Sequence, residues 1–501
     1  MLANSDELRR RIMGCWLGKA VGGTLGQAFE GQEGPLSASF YDPVPDGMVP
    51  NDDLDLQVVW ACLMDNADPP RVDRRLLERG WLENIRFPWT AYGVAIRNLQ
   101  LGLRAPYSGS VDNWYECGEG AVIRTEIWAC LAAGDPELAS RYAYEDACVS
   151  HAGDGLGAAL FMAAVQAAAF IESDAEKLLD IGLSVIDRNS PLARAITDAR
   201  SWVAEGLEWR EVRAQILGRY NMGDFTDVRR NTAFIVLGWL KGRDFAERVL
   251  ICNNCGGDTD SSTGSLGSIL AIIDPDCVPR EWLAPIGHDL LLNPQVTGIN
   301  APATLDDFTD LVLSLRRRID GALPPEHPLE PPPTYRLKVS MGFTNYLEPA
   351  YINFRFMPPP GSAAPTVLHS ERDAWLPGTH HHMAQMDFAD DVLLLRFNVE
   401  LGYERAVRVM FNTTEQCHVW VDQEYAFGRE TGGFGEPASM HPGPARLPLN
   451  QYADRLLTAG THEVVALVRR PPVKRDAEWV FAIADVVTGM WLPEAMGIYV
   501  S

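Results

Sequence analysis

The stretch LPPEHPLEPPP at residues 323–333 separates two parts of the chain that have different sequence patterns. Proline at this density favours an extended, semi-rigid linker over helix or sheet. Before it, alanine-rich segments such as GLGAALFMAAVQAAAFI at residues 155–171 have the apolar spacing of packed helices. After it, short segments such as CHVWVD at residues 417–422 alternate apolar and polar residues, which predicts strands.

We therefore predict an all-α domain over residues 1–322, a proline-rich linker over residues 323–334, and a β-sandwich of the jelly-roll type over residues 335–501. A chain of 501 residues is long enough for each domain to bury a core of its own. Two roles are open for the second domain. It could bind carbohydrate through exposed aromatic residues such as Trp375 or Trp420, or serve only in packing or dimerisation.

The charge balance excludes some partners. The chain has 67 acidic and 43 basic residues, a formal net charge of -24, so it lacks the basic surface that nucleic acid or an anionic membrane needs. Charged residues at positions 6–11 interrupt any export signal, and nine cysteines do not indicate a disulfide scaffold. We expect a cytoplasmic protein that takes a small molecule or glycan as substrate, and a homo-oligomer is compatible with this reading.

The first segment with unusual chemistry is a glycine series near the N-terminus. Gly14, Gly18, Gly22 and Gly26 recur every four residues, so in a helix they form a stripe without side chains. Another helix or a ligand could approach closely along this stripe. Glu30 follows one turn later, and from this segment alone it is either a solvated or a functional carboxylate.

The second segment reads PNDDLD at residues 50–55 and precedes an apolar helical pattern. Asn51 is predicted to cap this helix. Asp52 and Asp53 then lie in the first turn, where the helix dipole favours negative charge. A structural role explains the pair as well as a catalytic one does.

The third segment, GGDTDSS at residues 256–262, precedes another apolar helix. Asp258, Asp260 and Ser261 place three hard oxygen donors in one turn, the kind of group that Mg²⁺ or Ca²⁺ prefers. An EF-hand starting at Asp258 would need glycine and glutamate where Thr263 and Ile269 stand, so that motif is excluded. A phosphatase loop is disfavoured because residues 252–257 separate the motif from the preceding apolar segment.

Taken together, the glycine-rich helix ending in Glu30, the Asn-Asp-Asp turn and the Gly-Gly-Asp-Thr-Asp-Ser loop resemble the ADP-ribosylglycohydrolase family. GAVIR at residues 120–124 is similar to the family's Asn-Gly-x-x-Met-Arg loop, and Ser150-His151 to its Thr-His step. The resemblance extends over most of residues 8–275. It implies a compact all-α domain with a binuclear magnesium or manganese centre.

The resemblance also implies site residues. Those around the Mg²⁺ or Mn²⁺ ions, two of which are expected, are Asn51, Asp52, Asp53, Asp258, Asp260 and Ser261. We assign Glu30, beside the bond that breaks, and Asp53 to catalysis, and Gly120, His151 and Asp154 to substrate binding. Clustered carboxylates are consistent with this, because they repel one another unless a cation neutralises them.

The sequence thus predicts a divalent-metal-dependent glycosidase that hydrolyses an N- or O-glycosidic bond to a ribose-like furanose, with ADP-ribosyl compounds as the implied substrate. A glycan-active glycosidase that does not use ADP-ribose and a catalytically silent ADP-ribose- or sugar-binding protein are the alternatives. Glu119 stands where the family has asparagine, and Asp154 follows His151 closely. These charges predict weak binding of an ADP diphosphate.

Overall fold

The protein is described by a computed structural model that covers residues 5–343, 363–364, 369–382, 392–413, 415–429, 451–469 and 478–501. Its contacts group the chain into two units, Met1–Ile85 with Asn113–Leu329, and Arg86–Asp112 with Glu330–Ser501. In the described part of the chain the first strand begins at Tyr335. The predicted fold class, a helical N-terminal region followed by a β-rich region, is confirmed.

The described residues form sixteen α-helices and two short 3-10 helices. The α-helices are α1 Ser5–Gln27, α2 Asp52–Asp65, α3 Arg74–Glu83, α4 Thr90–Gln100, α5 Tyr107–Ser110, α6 Glu126–Leu131, α7 Pro136–Ser150, α8 Gly153–Ala168, α9 Ala175–Ser184, α10 Pro191–Ala204, α11 Trp209–Tyr220, α12 Val228–Lys241, α13 Phe245–Asn254, α14 Thr259–Ile273, α15 Arg280–Leu283 and α16 Leu305–Ile319. The 3-10 helices are Glu119–Arg124 and Pro493–Ala495. Among these described segments, none has both the length and the apolar character to cross a bilayer.

The glycine stripe of α1 packs directly against α14. A Cβ atom at Gly18 or Gly22 would overlap the backbone of Gly267 or Thr263, and one at Gly26 would overlap the backbone at Asp260. Close helix packing is therefore the role of the stripe, one of the two alternatives that the sequence left open. The packing fixes where the N-terminus of α14 lies relative to the end of α1.

The second unit contains the strands. They are β1 Tyr335–Phe343, β2 His369–Leu376, β3 His380–His382, β4 Val392–Leu401, β5 Arg405–Thr413, β6 Cys417–Val421, β7 Glu424–Arg429, β8 Tyr452–Leu457, β9 Gly460–Arg469, β10 Glu478–Asp485 and β11 Ile498–Val500. Among the described strands, one sheet has the order β11-β1-β4-β9-β6-β7 with β2 also paired to β1, and the other has the order β3-β10-β5-β8. All of the pairs are antiparallel.

Aromatic residues join the two sheets face to face. Phe397 of β4 stacks on Phe481 of β10 with ring centroids 4.0 Å apart. The ring centroid of Trp479, also on β10, lies 5.8 Å from that of Phe397. Such interleaved side chains are the core of a β-sandwich. The jelly-roll topology of this sandwich stays a prediction.

The two aromatic residues considered for carbohydrate binding differ in exposure. Trp420 is fully buried in a cluster with Leu394 and Leu467, so it is excluded as a sugar platform. The alternating pattern of β6 suggested an exposed face, but both faces of this strand are covered. Trp375 is 48% exposed and lies edge-on to the exposed ring of Tyr499. Carbohydrate binding at Trp375 stays a prediction.

The segment Arg86–Asp112 belongs to the β-rich unit although its sequence pattern is helical. Arg97 on α4 is fully buried, and its guanidinium lies 3.1 Å from the Asp112 carboxylate and donates to the Thr379 hydroxyl. The rings of Tyr335 and Trp491 lie beside it at 5.6 and 5.0 Å. No local sequence pattern indicates that this segment groups with residues more than two hundred positions away.

Replacing Arg97 with methionine is expected to destabilise the β-rich unit by about 3–5 kcal/mol, because it leaves Asp112 as a buried charge without its partner. Urea unfolding followed by tryptophan fluorescence would measure this change. Arg141→Met is the control, since Arg141 pairs with Glu137 on the surface and such pairs contribute about 0–1 kcal/mol. Equal and small effects of the two substitutions would contradict the expected role of Arg97.

Candidate functional site

The three segments that the sequence singled out meet in the first unit. The Asn51 side-chain amide, at the start of α2, donates to the Asp260 carboxylate at 3.2 Å. Oxygen atoms of Glu30, Asp258 and Asp260 lie within 4.8 Å of one another. We call these three residues the acidic group. Segments more than two hundred residues apart in sequence thus form one cluster.

The loop before α14 is tied to the loop after α1 by the backbone. Gly256 and Gly257 have φ values of 76° and 86°, which favour glycine. The Gly257 N–H donates to the Gln32 carbonyl, and the Gly31 N–H donates to the Gly257 carbonyl. These bonds hold Glu30 beside Asp258, and a side chain at Gly257 would collide with a neighbouring guanidinium.

Burial and mutual repulsion dominate the electrostatics of the cluster. Burial, and after it the charge of Glu30, raises the pKa of Asp260 to about 6. Burial raises the pKa of Asp53 to about 6 as well, although the Lys19 charge opposes the shift. Burial followed by neighbouring carboxylates raises the pKa of Asp52 and of Asp258 well above the usual range. Without a further cation, these groups therefore keep their protons to a higher pH than ordinary aspartates do.

The cluster fits a divalent cation. The Oδ1 atom of Asp260 is buried and has no hydrogen-bond partner among the described residues. Carboxylate oxygens are the ligands that Mg²⁺ prefers. The Ser261 hydroxyl interacts with the carboxylates of Asp53 and Asp258 and favours their charged forms. Asp258 and Asp260 therefore lie together with Glu30, and Ser261 lies beside them, while metal ligation by these residues stays a prediction.

Two predicted ligands have other contacts in the structure. Asn51 caps α2, as predicted, because its Oδ1 accepts a hydrogen bond from the Asp53 backbone N–H at 2.8 Å. Its amide nitrogen donates a hydrogen bond to the Asp260 carboxylate. Asp52 lies close enough for the charges of Asp53, Asp260 and Glu30 to raise its pKa. Metal ligation by Asn51 and Asp52 stays a prediction.

The sequence analysis missed Lys19. This residue lies on α1 and is fully buried, and its ammonium is 2.8 Å from the Asp53 carboxylate and 3.3 Å from that of Glu126. Gln57 and Gln166 also donate to Glu126, so the network is extended by neutral groups. The available signal was a single charged residue among the apolar and glycine residues that separate Arg11 from Glu30 in the sequence.

A small pocket lies beside this ion pair. Asn51, Asp53 and Lys19 are among its polar residues, and Met48 and Leu54 are among its apolar residues. The start of α2 therefore borders this pocket.

Glu119 does not face a ligand as the sequence analysis expected. Its side chain is fully buried at the start of the 3-10 helix Glu119–Arg124, and it accepts a hydrogen bond from the Ser262 hydroxyl at 3.3 Å. Burial, and after it the charge of Asp53, raises the pKa of Glu119 well above its usual range. The Glu119 side chain is therefore held against the start of α14, and its carboxyl keeps its proton to a higher pH than an ordinary glutamate does.

Two of the three residues assigned to substrate binding, Gly120 and His151, lie near Arg124. The Arg124 guanidinium donates to the Gly120 carbonyl and, at 2.8 Å, to the Ser150 hydroxyl, which in turn contacts His151 Nδ1 at 2.8 Å. Burial, followed by the Arg124 charge, lowers the pKa of His151 well below its usual range. Asp154 lies 4.0 Å from a basic side chain, so its charge is partly offset. Substrate binding by these residues stays a prediction.

Stabilisation by Mn²⁺ is expected to depend on pH. The pKa values of Asp53 and Asp260 are raised to about 6, above the unfolded value, so the metal-free protein loses stability as the pH rises through about 6. Cation binding requires the ionised carboxylates, so the stabilisation by Mn²⁺ increases as the pH rises. With Mn²⁺ at about 100 times its Kd, stabilisation reaches about 2.7 kcal/mol near neutral pH. Thermal melts should show a large Mn²⁺ shift at about pH 7.5 and a small one at about pH 5; equal shifts would contradict the expectation.

Comparisons with known proteins agree with the resemblance seen in the sequence. The profile of the ADP-ribosylglycohydrolase family matches residues 4–318. An uncharacterized protein of Archaeoglobus fulgidus is 27% identical over 293 residues, which cover 55% of this chain and 91% of that protein. A solved structure entitled an ADP-ribosylglycohydrolase-related protein complex is 21% identical, with a TM-score of 0.44 over 62% of this chain and 99% of the matched chain. Because the family profile matches more than half of the chain, this protein belongs to the ADP-ribosylglycohydrolase family, and that membership supports a glycosidase-like hydrolase.

Proposed function

We propose that the protein is a divalent-metal-dependent glycosidase that hydrolyses an N- or O-glycosidic bond to a ribose-like furanose. The observation on which the proposal depends is the acidic group of Glu30, Asp258 and Asp260, with oxygens within 4.8 Å of one another and one buried oxygen without a partner. Membership of the ADP-ribosylglycohydrolase family supports a hydrolase. The family alone does not specify the substrate or the ion.

Asp258, Asp260 and Ser261 would hold the cation together with Glu30. A bound Mg²⁺ or Mn²⁺ would supply positive charge that polarises a sugar oxygen or lowers the pKa of a water molecule. The chain's own contribution is to keep these oxygens buried and close, through the glycine stripe and the loop after α1. This preorganisation stabilises charge without reorganisation during the reaction.

Glu30 is the catalytic carboxylate in this proposal. It is only half-buried, whereas Asp258 and Asp260 are buried, so it is the member of the acidic group that a substrate can reach. It accepts a proton from the attacking water or, when anionic, stabilises the positive charge that develops at the anomeric carbon. Asp53 was also assigned to catalysis, but its side chain is 3% exposed and paired with Lys19, so we propose that it positions Lys19 and Ser261 instead.

His151 is proposed to orient the substrate. Its Nδ1 contacts Ser150, and its buried Nε2 has no hydrogen-bond partner among the described residues. Because its pKa is lowered, the ring is neutral, and Nε2 can exchange a hydrogen bond with a hydroxyl group of a sugar. Gly120 and Asp154 are proposed to bound the same subsite.

The charges of Glu119 and Asp154 disfavour an ADP-containing substrate less than the sequence suggested. Glu119 is buried with a raised pKa, and Asp154 lies near Arg229. We therefore propose ADP-ribosyl compounds as the first substrates to test. Neutral furanosides are the second, because the sequence analysis identified glycan-active chemistry as an alternative.

The test is hydrolysis of N- and O-linked ADP-ribosyl compounds and of neutral furanosides by the full chain with Mn²⁺. We expect release of the sugar, and a loss of about 10²–10⁴-fold for Glu30→Gln. Glu137→Gln is the matched control, since Glu137 is a surface residue paired with Arg141. Binding of ADP-ribose without hydrolysis of any compound would overturn the proposal and favour the silent binding protein.

A further inference from the structure

Lys19 places a positive charge inside the cluster itself. Burying an ammonium group is unfavourable unless charges and hydrogen bonds compensate it. Two carboxylates do so here, because Lys19 Nζ lies 2.8 Å from Asp53 and 3.3 Å from Glu126. The ammonium thus occupies the side of Asp53 that faces α1.

Asn51 compensates the neighbouring carboxylate in a similar way. Its amide nitrogen donates to Asp260 Oδ2, and its amide oxygen accepts from the Asp53 backbone, so both polar atoms of this side chain have partners. On this side of the cluster, Asp53 Oδ2 lies against the Lys19 ammonium and Asp260 Oδ2 accepts a hydrogen bond from Asn51.

The acidic group differs from these paired carboxylates. There the oxygens of Glu30, Asp258 and Asp260 converge, and Asp260 Oδ1 is buried without a hydrogen-bond partner among the described residues. Asp260 takes part in both arrangements, with Oδ2 bound to Asn51 and Oδ1 left for another ligand. An ion bound by the acidic group does not need to displace a nitrogen donor.

We propose that Lys19 serves as a fixed cation at Asp53, so that the cluster binds one divalent ion, at Glu30, Asp258 and Asp260, instead of the two that the sequence analysis expected. A second ion ligated by Asp53 would lie close to the ammonium, and the like charges would repel each other. Lys19 is a positioning residue and not a catalytic one. The inference rests on the proposed metal-dependent function and concerns the number and place of the ions.

Counting Mn²⁺ ions on the full chain tests the proposal without an activity assay. Calorimetry and elemental analysis are expected to give one ion per chain, with the electron paramagnetic resonance spectrum of an isolated ion. Asp258→Asn should abolish this binding. Two ions on the unsubstituted protein would overturn the inference while leaving metal-dependent hydrolysis intact, whereas no bound ion would overturn both.

Substitution of Lys19 tests its role directly. Lys19→Met removes the charge at similar length, and we expect a second ion to bind and the spectrum to become that of a coupled pair. Lys177→Met is the control, because Lys177 pairs with Glu172 at the surface. The number of Mn²⁺ ions bound by this control variant should stay at one. A single ion in folded Lys19→Met would contradict the inference. If this variant does not fold, the ion count of the unsubstituted protein still decides the question.

Discussion

Replacing Asp258 with asparagine is expected to abolish binding of Mn²⁺ and to reduce hydrolysis by more than about 100-fold. Mutating a residue that only hydrogen-bonds to a metal ligand already costs up to about 100-fold, so the loss of a ligand should cost at least as much. Asp258 belongs to the acidic group and lies at the N-cap position of α14. The Asp258 side chain makes no capping hydrogen bond to the helix, so the helix should persist when it is replaced. Removing a buried charge that repels Asp260 should leave the metal-free protein equally or more stable.

Calorimetry with Mn²⁺, circular dichroism and thermal melts would measure these effects. Asp244→Asn is the matched control, because Asp244 caps α13 at an exposed position and its side chain accepts from the Glu247 N–H. The control should retain ion binding and activity. If Asp258→Asn lowered the metal-free melting temperature and left ion binding unchanged, Asp258 would be a structural cap only.

Replacing Gly22 with alanine is expected to destabilise the first unit by about 3 kcal/mol, although alanine is the better helix former. The added Cβ atom would overlap the backbone of Thr263 and Gly264, and two helix backbones cannot separate without loosening their neighbours. Because α14 begins just before Asp260, the same shift should weaken Mn²⁺ binding.

Gly218→Ala is the matched control for this substitution. Gly218 lies in α11, and a Cβ there would meet nothing within 4 Å, so we expect a gain of about 0.5–1 kcal/mol. The midpoint of chemical unfolding should therefore fall for Gly22→Ala and rise for Gly218→Ala. A shift in the same direction would show that helix propensity outweighs the close packing of α1 and α14.

Several features could be predicted because they depend on residues close in sequence. The Asn51 cap and the buried helix α8 follow from patterns within one or two turns. Prediction was less successful where one pattern fits two environments. Alternation in β6 was correct for a strand, but it gave no information on the residues that cover Trp420.

In the candidate site, too, some residues could be predicted from the sequence and others could not. The sequence was enough to name Glu30, Asp258 and Asp260, since the family resemblance places them, and the structure brings them together. It was not enough for Glu119, whose charge was expected near the ligand, or for Lys19, for which the sequence suggested no role. Exposure depends on neighbours that no local pattern specifies.

The sequence by itself determined the helical and β-rich regions, the helix caps and the residue types of an acidic site, because these depend on propensities and spacings within a few residues. Only the tertiary structure decided that Asn51 donates to Asp260, that Lys19 pairs with Asp53 and Glu126, and that Arg86–Asp112 groups with the β-rich unit. The physical reason is the range of the interactions. Hydrogen bonds and ion pairs between distant segments form only after helices and sheets have packed, and burial then sets their strength and charge states.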